Sequence, residues 1–223
     1  MKGSRSVPEG VRPLILITGP KHSGKTCAGK ALARFWEGRA KGPLRGTAVF
    51  VDLDELVESR TGKSPRLLYR EGPDRFRKAE AEALRSLLED SPPGTDGTGK
   101  DEVGKDGAGK DGAGGIVIAA AGGGLADNPE ALEMLKQGRP AMMVYLEVPA
   151  EIAWERIRAA AERTGEMPPF LNTENPRETH RLIHERRGRI YRELAAIVVK
   201  AETTPEETAA AMLQEIESGG FFI

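Results

Sequence analysis

Pro13-Leu14-Ile15-Leu16-Ile17-Thr18-Gly19-Pro20-Lys21-His22-Ser23-Gly24-Lys25-Thr26 is the stretch from which the rest of the chain can be read. Its first half is an apolar, β-branched run stopped by Gly19-Pro20, the pattern of a strand buried on both faces in a parallel sheet. From Lys25 onward Ala28, Leu32, Phe35 and Trp36 recur at helical spacing. Between strand and helix lies G-x-x-x-x-G-K-T. Its glycines let successive backbone N–H groups converge on a phosphate, and the positive end of the following helix adds its dipole. Lys25 places an ammonium on the β- and γ-phosphates, and the Thr26 hydroxyl can ligate Mg²⁺. A chance match in a chain of this composition is on the order of one in a hundred. The spacing therefore predicts ATP or GTP binding by Gly19, Pro20, Lys21, His22, Ser23, Gly24, Lys25 and Thr26. His22 is expected to point outward, and Cys27 to be a small buried filler.

Working outward, the same strand type returns at 47–51, 116–120, 141–146 and 197–199. Helical patterns occupy about 73–89, 129–137, 150–161 and 178–194, and Thr204-Pro205-Glu206-Glu207 carries the capping signature of a last helix. Strand–helix alternation of this kind predicts an α/β fold, three-layer α/β/α around a five-stranded parallel sheet. Residues 91–114 break the pattern, with Gly-Lys-Asp recurring at 99, 104 and 109 and Val103 as their only large apolar side chain. Such a segment buries too little surface to offset its ordering entropy and reads as a flexible insertion.

Composition narrows the function. The 33 Lys plus Arg nearly balance the 34 Asp plus Glu among 223 residues, which argues against a dedicated nucleic-acid binder. The single Cys27 excludes an intramolecular disulfide framework and a cysteine-rich zinc site. No apolar run reaches the ~18–20 residues of a membrane span, and Met1–Arg12 lacks the apolar stretch of a secretion signal. A soluble, cytoplasmic, monomeric chain without membrane or nucleic-acid partners is expected. His180 and His184, spaced i, i+4, form a metal-capable pair without an obvious third ligand. Trp36 and Trp154 fall on apolar helix faces and are expected in the core.

Asp52 and Asp54 end the second strand, where residues two apart share a face and where α/β proteins bind ligands. They read equally well as a Mg²⁺ and hydroxyl pair or as turn and capping residues. The run 52–64 is followed by Glu71-Gly72-Pro73-Asp74-Arg75-Phe76-Arg77-Lys78-Ala79-Glu80, and the third strand by Gly122-Gly123-Gly124. D-x-D, G-x-x-x-F-R-x-x-E and a triple glycine together closely resemble the shikimate kinases, small P-loop kinases of the nucleoside monophosphate kinase type. The resemblance runs from about Leu14 to the C-terminus, interrupted by the insertion.

It implies one kinase domain over 1–223 that uses ATP and Mg²⁺ to phosphorylate shikimate at its 3-hydroxyl, in aromatic amino acid biosynthesis. Thr26 and Asp52 would then hold Mg²⁺, Lys25 would neutralise developing charge, and Asp54 would bind and orient the attacking hydroxyl. Arg77 and Arg187, the latter four residues before Tyr191, would grip the shikimate carboxylate, for which a guanidinium fork suits better than a lysine. Gly122, Gly123 and Gly124 would let the backbone approach the substrate ring. Arg163 would pack on the adenine at the start of a mobile lid, 162–175.

The lid departs from the pattern. Where the family has Arg-Pro-Leu-Leu, this chain has Met167-Pro168-Pro169-Phe170-Leu171, with Pro168 aligned to the arginine that reaches over the transferring phosphoryl group. Two other readings stay open: a kinase of the same fold for another polyol or acid such as gluconate, and a nucleotide-binding protein with weakened catalysis.

Overall fold

The computed structural model describes residues 13–38, 47–89, 115–137 and 141–219. Five strands are present: β1 (Leu14–Thr18), β2 (Ala48–Asp52), β3 (Ile116–Ala120), β4 (Ala141–Glu147) and β5 (Ile197–Lys200). All pairings are parallel, in the order β2-β3-β1-β4-β5. Ile15 of the central strand lies between Ile118 and Met142. Eight α-helices are described: α1 (Lys25–Glu37), α2 (Leu53–Thr61), α3 (Pro65–Glu71), α4 (Pro73–Leu88), α5 (Pro129–Lys136), α6 (Ala150–Thr164), α7 (Pro176–Leu194) and α8 (Pro205–Ser218).

Period-two alternation sends successive β1 side chains to opposite faces. Ile15 and Ile17 enter one core with Leu32 and Trp36 of α1, Ala153 of α6 and Met212 of α8. Leu14 and Leu16 enter the other with Leu56 of α2, Leu84 of α4, Ala131 of α5 and Tyr191 of α7. The expected three layers follow from that two-sided burial, each fully buried Leu or Ile contributing roughly 2 kcal/mol. Four helices start on one device. Ser64, Asn128, Asn175 and Thr204 each accept a backbone N–H at the N-cap, and each is followed by proline at the first helical position. At Thr204 the predicted capping box with Glu207 is complete.

Several expectations need correction. Helix α2 begins at Leu53, so Asp54 lies in a helical first turn rather than on β2 beside Asp52. Helix α6 continues past Ala161 to Thr164, where Gly165 at φ 73° stops it. Cys27 is exposed because α1 turns Ala28, Ala31 and Leu32 to the sheet and Cys27 away from it. Trp36 is in the core, but Trp154 is half-buried at its edge, 5.6 Å from the His180 ring, which in turn lies tilted 5.4 Å from the His184 ring. The insertion 91–114 lies outside the described residues. Among those described, no helix is long and apolar enough to cross a membrane.

Candidate active site

The carboxyl ends of β1, β2 and β3 converge on one edge of the sheet, and each delivers a different part of the site. After β1 the loop 19–24 curls tightly, with Gly24 at φ 89° and His22 at φ 59°, both in the left-handed region. Lys25 is buried in this loop and donates to the Gly19 carbonyl at 3.1 Å and the Pro20 carbonyl at 2.7 Å. Burial lowers its pKa to about 8, with Asp54 and Asp52 acting the other way. His22 is exposed by area, as expected. Its ring is nonetheless partly desolvated by the loop and faced by Lys21, Lys25, Arg163 and Arg156, which lowers it to about 4. Arg156 on α6 donates to the His22 carbonyl at 3.3 Å, a contact across 134 residues that the sequence did not suggest.

After β2, Asp52 uses both oxygens. Oδ1 accepts the Asp54 N–H at 3.0 Å and caps α2, while Oδ2 accepts the Thr26 hydroxyl at 2.7 Å. One carboxylate therefore caps α2 and reaches the phosphate loop at the same time. A hydroxyl and a carboxylate oxygen at this separation form a hard donor pair that fits Mg²⁺, which keeps several waters and takes few protein ligands. Asp54 is exposed by area, yet its Oδ1 lies 3.1 Å from where a Gly122 side chain would begin. Lost hydration and the neighbouring Asp52 raise its pKa, and Lys21 and Lys25 oppose the rise.

After β3, the triple glycine runs through the centre. A Cβ on Gly122 would come within 2.8 Å of Glu80 Oε1 and 3.1 Å of Asp54 Oδ1. One on Gly123 would come within 2.9 Å of the Lys21 nitrogen and 3.1 Å of its Cα, inside the phosphate loop. Neither position tolerates a side chain without moving backbone or burying a carboxylate against carbon. The buried Tyr191 hydroxyl pins the run, donating to the Gly123 carbonyl at 3.2 Å and accepting the Ala126 N–H at 3.1 Å.

Arg187 faces the same loop. It donates to Asp127 Oδ2 through Nη2 at 2.7 Å and Nε at 3.2 Å, and to the Gly123 carbonyl through Nη1 at 3.1 Å. Its guanidinium stacks 5.2 Å above the Phe170 ring. Arg77 reaches the group less directly: its guanidinium holds Asp74 at 2.8 Å, and its carbonyl accepts Asn128 Nδ2 at 2.7 Å. The same Asn128 nitrogen donates to Glu80 Oε2 at 3.0 Å. Glu80 is 1% exposed and its Oε1 has no hydrogen-bond partner, so burial pushes its carboxyl up to about 7. Glu80 ends the G-x-x-x-F-R-x-x-E motif without a role implied there, and Asp127 and Asn128 belong to none of the motifs. An Asn-Pro pair opening a helix was the available signal for Asn128.

Arg163 stands near the exposed end of α6, toward His22. Beyond it a single 3-10 turn spans Pro169–Leu171, with Pro168 and Leu171 buried and Phe170 half-buried under Arg187. Arg66 on α3 ties this segment down, donating to the Met167 carbonyl at 3.1 Å and pairing with Glu166 at 2.5 Å.

Comparison with known proteins agrees with this architecture. The family model described as Shikimate kinase matches residues 21–94 and 108–217. A shikimate kinase of Aromatoleum aromaticum is 29% identical over 187 residues, covering 83% of each chain. One from Aquifex aeolicus is 29% identical over 204 residues, 91% of this chain and 95% of that one. The structure of a shikimate kinase from Acinetobacter baumannii in complex with shikimate superposes with a TM-score of 0.66 at 27% identity, covering 93% of this chain and 94% of that one. With the family model matched over most of its length, the chain belongs to the shikimate kinase family.

Proposed function

We propose that the protein transfers the γ-phosphoryl group of ATP to the 3-hydroxyl of shikimate, as a monomeric cytoplasmic enzyme of aromatic amino acid biosynthesis. The observation that carries this reading is the position of Gly122-Gly123-Gly124. One backbone segment abuts Asp54 and Glu80 through Gly122, the phosphate loop through Gly123, and Arg187 through the Gly123 carbonyl. Donor and acceptor groups therefore meet across a wall with no side chains.

The loop 19–26 cradles the phosphates, and Lys25 exchanges its carbonyl partners for β- and γ-phosphate oxygens. Thr26 and Asp52 would hold Mg²⁺, which would supply positive charge to offset that of the phosphates. Asp54 orients the acceptor hydroxyl and takes its proton as the new P–O bond forms, a task suited to a carboxylate whose pKa is raised. Arg187 commits three of its five N–H donors to Asp127 and Gly123, leaving two for the substrate carboxylate. Arg77 completes that grip by giving up the exposed Asp74. Arg163 flanks the adenine, and 162–175 serve as the lid. Catalysis is then positioning and electrostatics rather than strong base chemistry.

The test is a coupled ADP-release assay with ATP, Mg²⁺ and shikimate. Release that depends on shikimate, disappears in Lys25→Ala and falls at least ~100-fold in Asp54→Asn and Arg77→Ala is expected. Release driven equally by gluconate, or by no added acceptor, would overturn the reading.

A further inference from the structure

A phosphoryl group in transfer spreads negative charge over three equatorial oxygens and is stabilised by cations on more than one side. Lys25 serves one side from within the loop. Family resemblance leads to an arginine on the lid for the other, but this chain has Pro168 there, buried and uncharged.

The cations around the site differ in what already holds them. Arg187 is bound to Asp127, the Gly123 carbonyl and the Phe170 face. Arg156 is bound to the carbonyls of His22 and Ala201. Arg66 and Arg70 are occupied by Glu166. Arg163 is unpaired among the described residues, but it stands exposed in the last turn of α6, toward His22.

Lys21 alone meets every requirement. It makes no hydrogen bond or ion pair among the described residues. Its backbone is seated on Gly123, with its Cβ 3.4 Å from where a Gly123 side chain would begin, at the junction of phosphate loop and acceptor wall. It lines the same pocket as Phe170 and Arg187, under the lid segment. Both reacting sides sense its charge, since Lys21 acts on Lys25 and on Asp54.

We infer that Lys21 is the second catalytic cation of the transfer step, placing its ammonium on the γ-phosphoryl oxygens from the loop side in place of a lid arginine. The inference rests on the kinase reading above. In that step the acceptor oxygen bonds to the γ-phosphorus and the bond to the β,γ-bridging oxygen breaks. The electron pair leaves on ADP, the hydroxyl proton passes to Asp54, and Lys21 keeps its own protons throughout. A lysine is a mobile point charge rather than a fork, so it can follow the group as it moves.

Steady-state kinetics of the wild type, Lys21→Met and Lys21→Arg are to be paired with titrations of ADP–Mg²⁺ with and without aluminium fluoride. The expected result for Lys21→Met is a kcat at least ~100-fold lower, with KM values and ADP affinity within about threefold of wild type. Aluminium fluoride should tighten ADP binding in the wild type and in Lys21→Arg but not in Lys21→Met, and Lys21→Arg should keep at least a tenth of the turnover. A Lys21→Met enzyme within threefold of wild-type kcat would overturn the inference. So would one that loses ADP affinity in proportion to rate, which would make Lys21 a ground-state contact. Unchanged ADP affinity also reports an intact fold. If the wild type shows no shikimate-dependent turnover, the functional reading fails, and the aluminium fluoride titration still decides the role of Lys21.

Discussion

The donor and acceptor halves of the site are built on opposite plans. In the donor half, Lys25 bonds to groups two to six residues away and Thr26 to Asp52, 26 away, with the Arg156 brace on the His22 carbonyl as the long-range exception at 134. In the acceptor half, Glu80 and Asn128 are 48 residues apart, Arg187 and Asp127 are 60 apart, and Arg187 and Gly123 are 64 apart. The first is a backbone cradle that a short sequence specifies. The second is a side-chain network that exists only once α4, α5 and α7 have packed. A local cradle resists distant mutation, whereas the network offers many places to retune acceptor affinity without touching nucleotide binding.

Gly123→Ala strikes where the halves meet and is expected to have the largest effect. A methyl 2.9 Å from the Lys21 nitrogen must push backbone on both sides. Turnover should fall ~100-fold or more, with KM raised for both ATP and acceptor. Steady-state kinetics check this, and a change confined to one substrate would show that the wall is not shared.

Asp127→Ala should sharpen the contrast. It frees Arg187, whose side chain is only 11% exposed, from its carboxylate partner. The acceptor KM should rise roughly 10- to 100-fold, by analogy with the loss of outer partners that orient metal-binding side chains. The ATP KM should stay within about twofold. An equal rise in both would break the division into halves.

The smallest expected effect is on stability. Glu80 has a folded pKa of about 7, above its ordinary 4.5, so the folded state holds the extra proton between those values. Its contribution is therefore fully present below pH 4.5 and lost as pH rises through 7. Lys25 has the opposite sign: its pKa is depressed to about 8, so stability rises with pH between about 8 and 10.5. Glu80→Gln should match the wild type near pH 4.5 and exceed it by roughly 3 kcal/mol at pH 8. Denaturant titrations at the two pH values measure this, and a constant difference would show that Glu80 is not the titrating group.

This division also explains what could be read in advance. The five strands, the phosphate loop and the Thr204 cap are written in adjacent residues and were legible. Helices α2 and α3 were not, because they are short and charged, although Asp52 and Ser64-Pro65 marked their starts. Arg187 and the triple glycine could be placed only by resemblance to a family. The roles of Asp127, Asn128 and Glu80 depend on packing across dozens of residues, which no local pattern encodes. Cys27 was misplaced because a helix position beside three inward-facing residues can still point to water.

Asp52 has a consequence for how such a protein can diverge. One carboxylate starts a helix with one oxygen and reaches the phosphate loop with the other. Mutational drift at this position is therefore judged twice. Asparagine would pass as a cap but lose the negative charge, and glutamate would keep the charge but lose the short reach a cap needs. A substitution here disturbs two unrelated things at once, the start of α2 and the tie to the phosphate loop, so this aspartate leaves a lineage little room to vary while it explores new acceptors.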